Sequence, residues 1–222
     1  VIALPRPCVY LVTDRRRLAP DARTARDEVA ALASFLDDAV AAGVDVIQIR
    51  ERDLDGGALA ALAARVRARA AQARTLVLVN DRADVALAAR AHGVHLRSDG
   101  PPIARVKALH ADGWIVGRSV HSPAEAGAAA GADYVLFGTV FTGGSKGEVS
   151  GGDRVEALGA AARISRAPVI AIGGITAERA AICHRAGAAG VAAISIFLPE
   201  GRAPLAVGVA RAVSLLREAI AR

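Results

Sequence analysis

Arg50 and Arg52 flank Glu51 just after Gln48, and Lys146 stands in a loop with glycines at 143, 144, 147, 151 and 152. Arginine supplies planar, bidentate donors and lysine a compact point charge, a combination suited to a multiply charged anion such as a diphosphate. The lysine stands out because only Lys107 and Lys146 are lysines among 28 Lys+Arg. A glycine loop gives up much backbone freedom on ordering, and chains keep one where backbone N–H groups must approach an anion. A surface loop with a solvated charge is the competing explanation. Asp81, beside Asn80, is a hard oxygen ligand of the kind Mg2+ uses next to substrate phosphates. Asn80-Asp81 would equally serve to cap a following helix, and Arg50 could simply pair with Glu51. His121, two residues beyond Ser119, is placed for acid–base work or for a hydrogen bond within its loop. His95 follows a buried run and reads as a satisfied core group. Gly173-Gly174 and Ser195 offer backbone N–H groups for a second, smaller anion.

These residues recur at one kind of place, the end of a short apolar run. The runs are Val9 to Val12, Val44 to Ile49, Leu76 to Val79, Val94 to Leu96, Trp114 to Val116, Tyr134 to Phe137, Val169 to Ile172 and Val191 to Ile196. Helical stretches separate them: Asp21 to Ala42, one capped by Asp53 or Asp55 and running to Arg74, Ala83 to Ala91, Pro102 to His110, one opening at Ser122-Pro123-Ala124-Glu125, Val155 to Ile164, Thr176 to Ala186 and Pro204 to Ala221. Ser122 to Glu125 has the N-cap, proline and glutamate pattern of a helix start. Runs this short and uniformly apolar are buried on both faces. Their alternation with helices implies a parallel sheet. Eight units predict a single (β/α)8 TIM barrel over residues 1–222, with its active site at the C-terminal ends of the strands. An open doubly wound sheet is the alternative, and no Gly-x-Gly-x-x-Gly turn follows any run to support it. On the barrel reading, Gln48, Arg50, Arg52, Asn80, Asp81, Asp99, Ser119, His121, Thr142, Ser145, Lys146, Gly174 and Ser195 share one rim. They would form a diphosphate-plus-metal site around strands two, three and six, and a phosphate site between strands seven and eight.

Composition narrows the function classes. A 53% hydrophobic content excludes disorder. No apolar run approaches the ~20 residues of a membrane span, and the N-terminus shows no signal-peptide pattern, so the expectation is a cytoplasmic protein without a membrane partner. The net charge of +6 comes from arginines scattered along Ala-rich helices, and only 3% of residues are aromatic. That argues against a nucleic-acid partner, which calls for clustered charge and stacking rings. Cys8 and Cys183 are too few for a disulfide framework. No zinc spacing and no Walker A ending are present.

The segments Tyr10 to Asp14, Gln48 to Arg52, Val79 to Arg82, Gly93 to Leu96, Gly117 to Ser122, Asp133 to Gly138, Thr142 to Lys146, Pro168 to Ile175 and Gly190 to Ser195 carry a resemblance nearly end to end. The chain resembles the thiamine phosphate synthase/TenI family. The resemblance implies a TIM-barrel transferase that joins a pyrimidine methyl diphosphate to a thiazole phosphate and releases pyrophosphate. It implies that Gln48, Arg50, Asn80 and Lys146 hold the diphosphate partner, with Arg52 beside them, that Asp81 binds Mg2+, and that Thr142 and Ser145 face the thiazole. It implies that Gly174, Ile194 and Ser195 hold the thiazole phosphate, and that the groups the chemistry turns on are Arg50, Ser119, His121 and Lys146. It leaves a homo-oligomer open. Two positions depart from the family pattern. Arg52 stands where the synthases usually have lysine. The second metal carboxylate, expected after the fourth strand, is offered by Asp99 one residue out of register, the position itself being Gly100. Residues 97–100 and 117–122 look closer to the TenI branch, which isomerises a carboxylated thiazole phosphate without a metal, a histidine at the position of His121 moving the proton. A phosphate-binding paralogue without turnover is the third reading.

Overall fold

The structure is a computed structural model that describes residues 3–110, 113–142, 152–198 and 205–221. The eight strands are β1 (Cys8–Val12), β2 (Val46–Ile49), β3 (Leu76–Asn80), β4 (Gly93–Leu96), β5 (Ile115–Val120), β6 (Tyr134–Gly138), β7 (Val169–Ile172) and β8 (Gly190–Ala193). They pair in chain order, all parallel, and β8 returns to β1 to close a barrel. The helices between them are α1 (Arg15–Leu18), α2 (Ala25–Ala41), α3 (Gly56–Arg69), α4 (Ala83–Ala88), α5 (Ile103–Lys107), α6 (Pro123–Ala128), α7 (Gly152–Ile164), α8 (Ala177–Arg185) and α9 (Leu205–Ile220). Closure removes every sheet edge.

Successive strand residues point to opposite faces, and here both faces are dry. Tyr10, Val46, Leu78, Tyr134 and Ile170 pack inside the barrel. Their neighbours Leu11, Ile47, Val79, Val135 and Ala171 pack outward against the helices. Gly117 in β5 makes room for one inner ring, because a Cβ there would lie 2.1 Å from the Tyr134 ring.

Boundaries move where a local cap outcompetes the apolar pattern. Helix α2 begins at Ala25 and not near Asp21, because the Thr24 hydroxyl accepts from the Asp27 N–H at 3.1 Å. The residues before it form the separate turn α1, capped by Asp14, which accepts from the Arg17 N–H at 3.1 Å. Of the two candidate caps for α3, Asp55 does the capping. Asp53 instead pairs with Arg15 at 2.6 Å. Strand β8 ends at Ala193, and Ser195–Phe197 turns into a single 3-10 helix where the sequence pattern continued the run.

Candidate active site

A cavity of about 360 Å³ opens at the C-terminal ends of the strands. Gln48, Asn80, Ser119 and Ile194 line it, each near the end of a different strand or just beyond, and His121 joins them from just past β5. Three arginines, Arg50, Arg52 and Arg97, also line it, and no carboxylate does so among the described residues. Burial first, and then Arg52, hold the Arg50 guanidinium below its usual range. A site of this composition attracts anions. The pairing of Arg50 with Glu51 that the sequence allowed does not form. Glu51 is buried and held by Arg15 at 3.0 Å and by the Thr13 hydroxyl at 2.5 Å. Burial pushes its carboxyl up, while the hydrogen bonds from Thr13 and Arg15 oppose that. Arg50 is therefore left for the cavity.

A string of buried polar groups runs beneath this mouth. The Asn80 amide donates to the Asp81 carboxylate at 2.9 Å, and Gln48 Nε2 donates to Asn80 Oδ1 at 2.7 Å. Tyr10 O–H donates to Gln48 Oε1 at 2.9 Å and contacts Tyr134 Oη at 2.8 Å. Tyr134 Oη meets His95 Nδ1 at 2.9 Å, and His95 Nε2 meets Ser119 Oγ at 2.8 Å. A carboxylate only accepts, so each amide and hydroxyl in turn has one allowed direction. Tyr134 must donate to Tyr10, and His95 must donate from Nδ1 to Tyr134. Burial, then Arg118 and Arg50, push the His95 ring down to about 3, so it is neutral and its Nε2 accepts from Ser119. Ser119 thus donates inward and turns lone pairs to the cavity. His95 is the satisfied core group the sequence suggested, but it also sets the polarity of a mouth residue. His121 donates from Nδ1 to the Gly138 carbonyl at 2.6 Å, which leaves Nε2 as the ring's other nitrogen.

A second cavity of about 400 Å³ adjoins the first and shares Ile172, Gly173 and Ile194 with it. Gly174 and Ser195 line it, together with Arg17 from α1. Arg17 Nη2 donates to Ser195 Oγ at 2.9 Å. Gly174 has φ +60, and a Cβ there would lie 2.7 Å from the Phe141 carbonyl oxygen, so only glycine fits without shifting the loop. Arg179 fixes the same turn by donating to the Gly174 carbonyl at 2.9 Å.

A profile described as thiamine monophosphate synthase matches residues 9–197. The chain belongs to that family. The thiamine-phosphate synthase of Methanoculleus marisnigri is 42% identical over 165 residues, 73% of this chain and 78% of that protein. The thiamine-phosphate synthase of Chlorobium luteolum is 43% identical over 159 residues, 71% of this chain and 75% of that protein. Among solved structures, thiamine phosphate pyrophosphorylase from Pyrococcus furiosus superposes with a TM-score of 0.77 at 30% identity, covering 96% of this chain and 95% of that one.

The family's residues fall in this chain as follows. Gln48, Arg50, Arg52, Asn80, Ser119, His121 and Ile194 come together at the mouth cavity, and Gly174, Ile194 and Ser195 at the second. Thr142 is exposed just past the end of β6. Ser145 and Lys146 lie outside the described residues. Asp81 and Asp99 meet around Arg97 and not around an open position. Asp81 Oδ1 accepts from the Arg97 N–H at 2.9 Å, and its Oδ2 lies 3.1 Å from Arg97 Nε. Asp99 Oδ1 lies 3.5 Å from the same Nε. Asp81 opens onto a smaller cavity of about 200 Å³ with Glu51 and Arg82. No group of three His, Cys, Asp or Glu suited to a metal occurs among the described residues. With a guanidinium between the two carboxylates, the arrangement as it stands does not fit Mg2+, which requires those oxygens in near-octahedral geometry. Nor does Asp81 cap α4, whose N-cap is Arg82, without a side-chain bond.

Reading by strand ends missed Arg17, because α1 is a single turn with no apolar period to announce it. It also missed Arg154 of α7, which donates to the carbonyls of His121, Gly138 and Thr139 at 2.9, 3.2 and 3.1 Å. Nothing in the sequence near Arg154 distinguishes it from the solvated arginines around it.

Proposed function

We propose that this chain is a thiamine phosphate synthase, a transferase that couples hydroxymethylpyrimidine diphosphate with hydroxyethylthiazole phosphate and releases pyrophosphate. The observation that carries this reading is the pair of adjoining anion cavities: Ile172, Gly173 and Ile194 line both. A reaction that transfers a group from one phosphorylated molecule to another requires two such sites side by side. The mouth cavity, with three arginines and the amides of Gln48 and Asn80, would take the diphosphate partner. The second, with Arg17, Gly174 and Ser195, would take the thiazole phosphate.

In the coupling, the C–O bond between the pyrimidine methylene and the diphosphate breaks, and its electron pair leaves with pyrophosphate. The thiazole nitrogen then gives its lone pair to the carbon, forming the C–N bond. Charge grows on the departing oxygens, so pre-placed cations stabilise the transition state more than the ground state. Arg50 and Arg52 have that role in this reading, and sequence assigns Lys146 to the same diphosphate. Ser119, its lone pairs turned outward, would accept a hydrogen bond from an N–H of the pyrimidine partner. Positioning of the thiazole by its phosphate supplies the rest. Family membership and the relatives' names support this assignment.

His121 supports a second reading. It lines the mouth cavity with its tautomer set by Gly138, which suits proton transfer on a carboxylated thiazole phosphate. Incubating the protein with both coupling substrates, and separately with the carboxylated thiazole phosphate, decides between them. Thiamine phosphate in the first mixture is the expected result. Isomerisation in the second without coupling in the first would replace the transferase with an isomerase. Binding of thiazole phosphate with no turnover in either mixture would leave only a phosphate-binding paralogue.

A further inference from the structure

The loop after β4 carries a cation where two carboxylates suggest a metal. Arg97 follows the last residue of β4, and its backbone N–H and Nε both engage Asp81, at 2.9 and 3.1 Å. Asp99 approaches the same Nε at 3.5 Å. The Asn80 amide takes a further lone pair of Asp81 at 2.9 Å. Two hydrogen bonds and an ion pair therefore occupy a carboxylate that can accept about four hydrogen bonds. Arg118, buried, holds the loop in this shape by donating to the carbonyls of Arg97 and Gly100 at 2.9 and 3.0 Å. Arg97 lines the mouth cavity, whereas Asp81 and Asp99 do not. The carboxylates thus face the arginine, and the arginine faces the cavity.

The geometry points to Arg97 as the resident cation of the diphosphate site, a fixed positive charge that meets the leaving diphosphate and competes with any divalent ion for Asp81. This rests on the reading of the mouth cavity as a diphosphate site. A guanidinium and a divalent ion cannot both use the same carboxylate oxygens. Displacing Arg97 would open Asp81 to metal, and keeping it would let the protein bind diphosphate without one.

Two binding measurements on wild type, Arg97→Gln and Arg97→Lys test this. The first is calorimetry with inorganic pyrophosphate, with Mg2+ and in excess EDTA. The second is binding of Mn2+ alone, followed by its aqueous paramagnetic resonance signal. Wild type should bind pyrophosphate in EDTA within about threefold of its affinity with Mg2+. Arg97→Gln should weaken binding in EDTA by about tenfold or more, the worth of a charge-assisted hydrogen bond, and Arg97→Lys should restore part of it. Arg97→Gln should bind Mn2+ several-fold tighter than wild type. Loss of wild-type pyrophosphate binding on chelation, unchanged pyrophosphate binding in Arg97→Gln, or Mn2+ affinity that does not rise would each overturn the proposal. Thiamine phosphate formation is assayed separately. A protein that makes none yet binds pyrophosphate through Arg97 defeats the synthase reading alone. Coupling that needs Mg2+ equally in wild type and Arg97→Gln defeats this proposal and leaves that reading standing.

Discussion

His95 couples the inside of the barrel to its mouth, and its ionisation is readable. Its pKa is held at about 3, chiefly by burial, against 6.5 for a free ring. As pH falls through 6.5 the unfolded chain takes up a proton that the native state refuses, so stability drops until the pH reaches about 3. One such group gives a slope approaching ~1.4 kcal/mol per pH unit. Between pH 7 and pH 5 the unfolding free energy from urea denaturation should therefore fall further in wild type than in His95→Gln, by about 1–2 kcal/mol. His92, also held low, at about 4, is common to both proteins and cancels. Equal falls would mean that His95 is protonated in the native state. Nitrogen NMR of the His95 ring should show the proton on Nδ1. Asp81→Asn replaces an acceptor-only carboxylate with an amide that can donate, so the direction of the whole string is no longer imposed, and Nε2–H should become populated. A ring protonated at Nε2 in wild type would refute the ordering.

Among the elements, the shortest helix does the most for the site. α1 is one turn, yet Arg15 and Arg17 point to different tasks. Arg15 is buried on Glu51 and Asp53 and anchors the turn to the loop after β2. Arg17 reaches Ser195 just past the end of β8, the strand that closes the barrel onto β1. Arg15→Ala strands a buried Glu51 and should destabilise the fold by about 3–5 kcal/mol, seen in chemical denaturation. A loss under ~1 kcal/mol would mean that Glu51 is solvated. Arg17→Ala should leave the melting temperature nearly unchanged and weaken thiazole phosphate binding about tenfold, as expected for one lost charge-assisted hydrogen bond. An unaltered dissociation constant would remove Arg17 from the phosphate site.

For the molecule as a whole, barrel closure leaves no slack around the inner rings. Gly117→Ala places a Cβ 2.1 Å from the Tyr134 ring, which is fully buried and tied to Tyr10 and His95. Overpacking of this kind costs about 1–3 kcal/mol, so the melting temperature should fall and the His95 ring signals should shift together. A variant with lowered stability but unshifted His95 signals would show that the ring moves without breaking the string. No helix among the described residues is long and apolar enough to cross a membrane.

The fold class and the rim were legible in the chain's pattern alone. Eight apolar runs alternating with helices admit few topologies, since each run must bury both faces and parallel strands need a crossover between them. Strand polarity then sends the residues after each run to one end, which is why Gln48, Asn80, Ser119, Gly174 and Ser195 group together from the order of the runs alone. Caps such as Ser122 were legible because they act within four residues. The fold itself chose the pairings between neighbouring strand ends. Glu51 chooses Arg15 over its neighbour Arg50, and Arg17 joins Ser195, 178 positions away in the chain. Asp81 turns to Arg97, a residue on the next strand's loop, so a motif that reads as a metal ligand in one dimension reads as an ion pair in three. Local spacing carries no information about such partners, because they are chosen by which side chains closure brings within about 3 Å of each other.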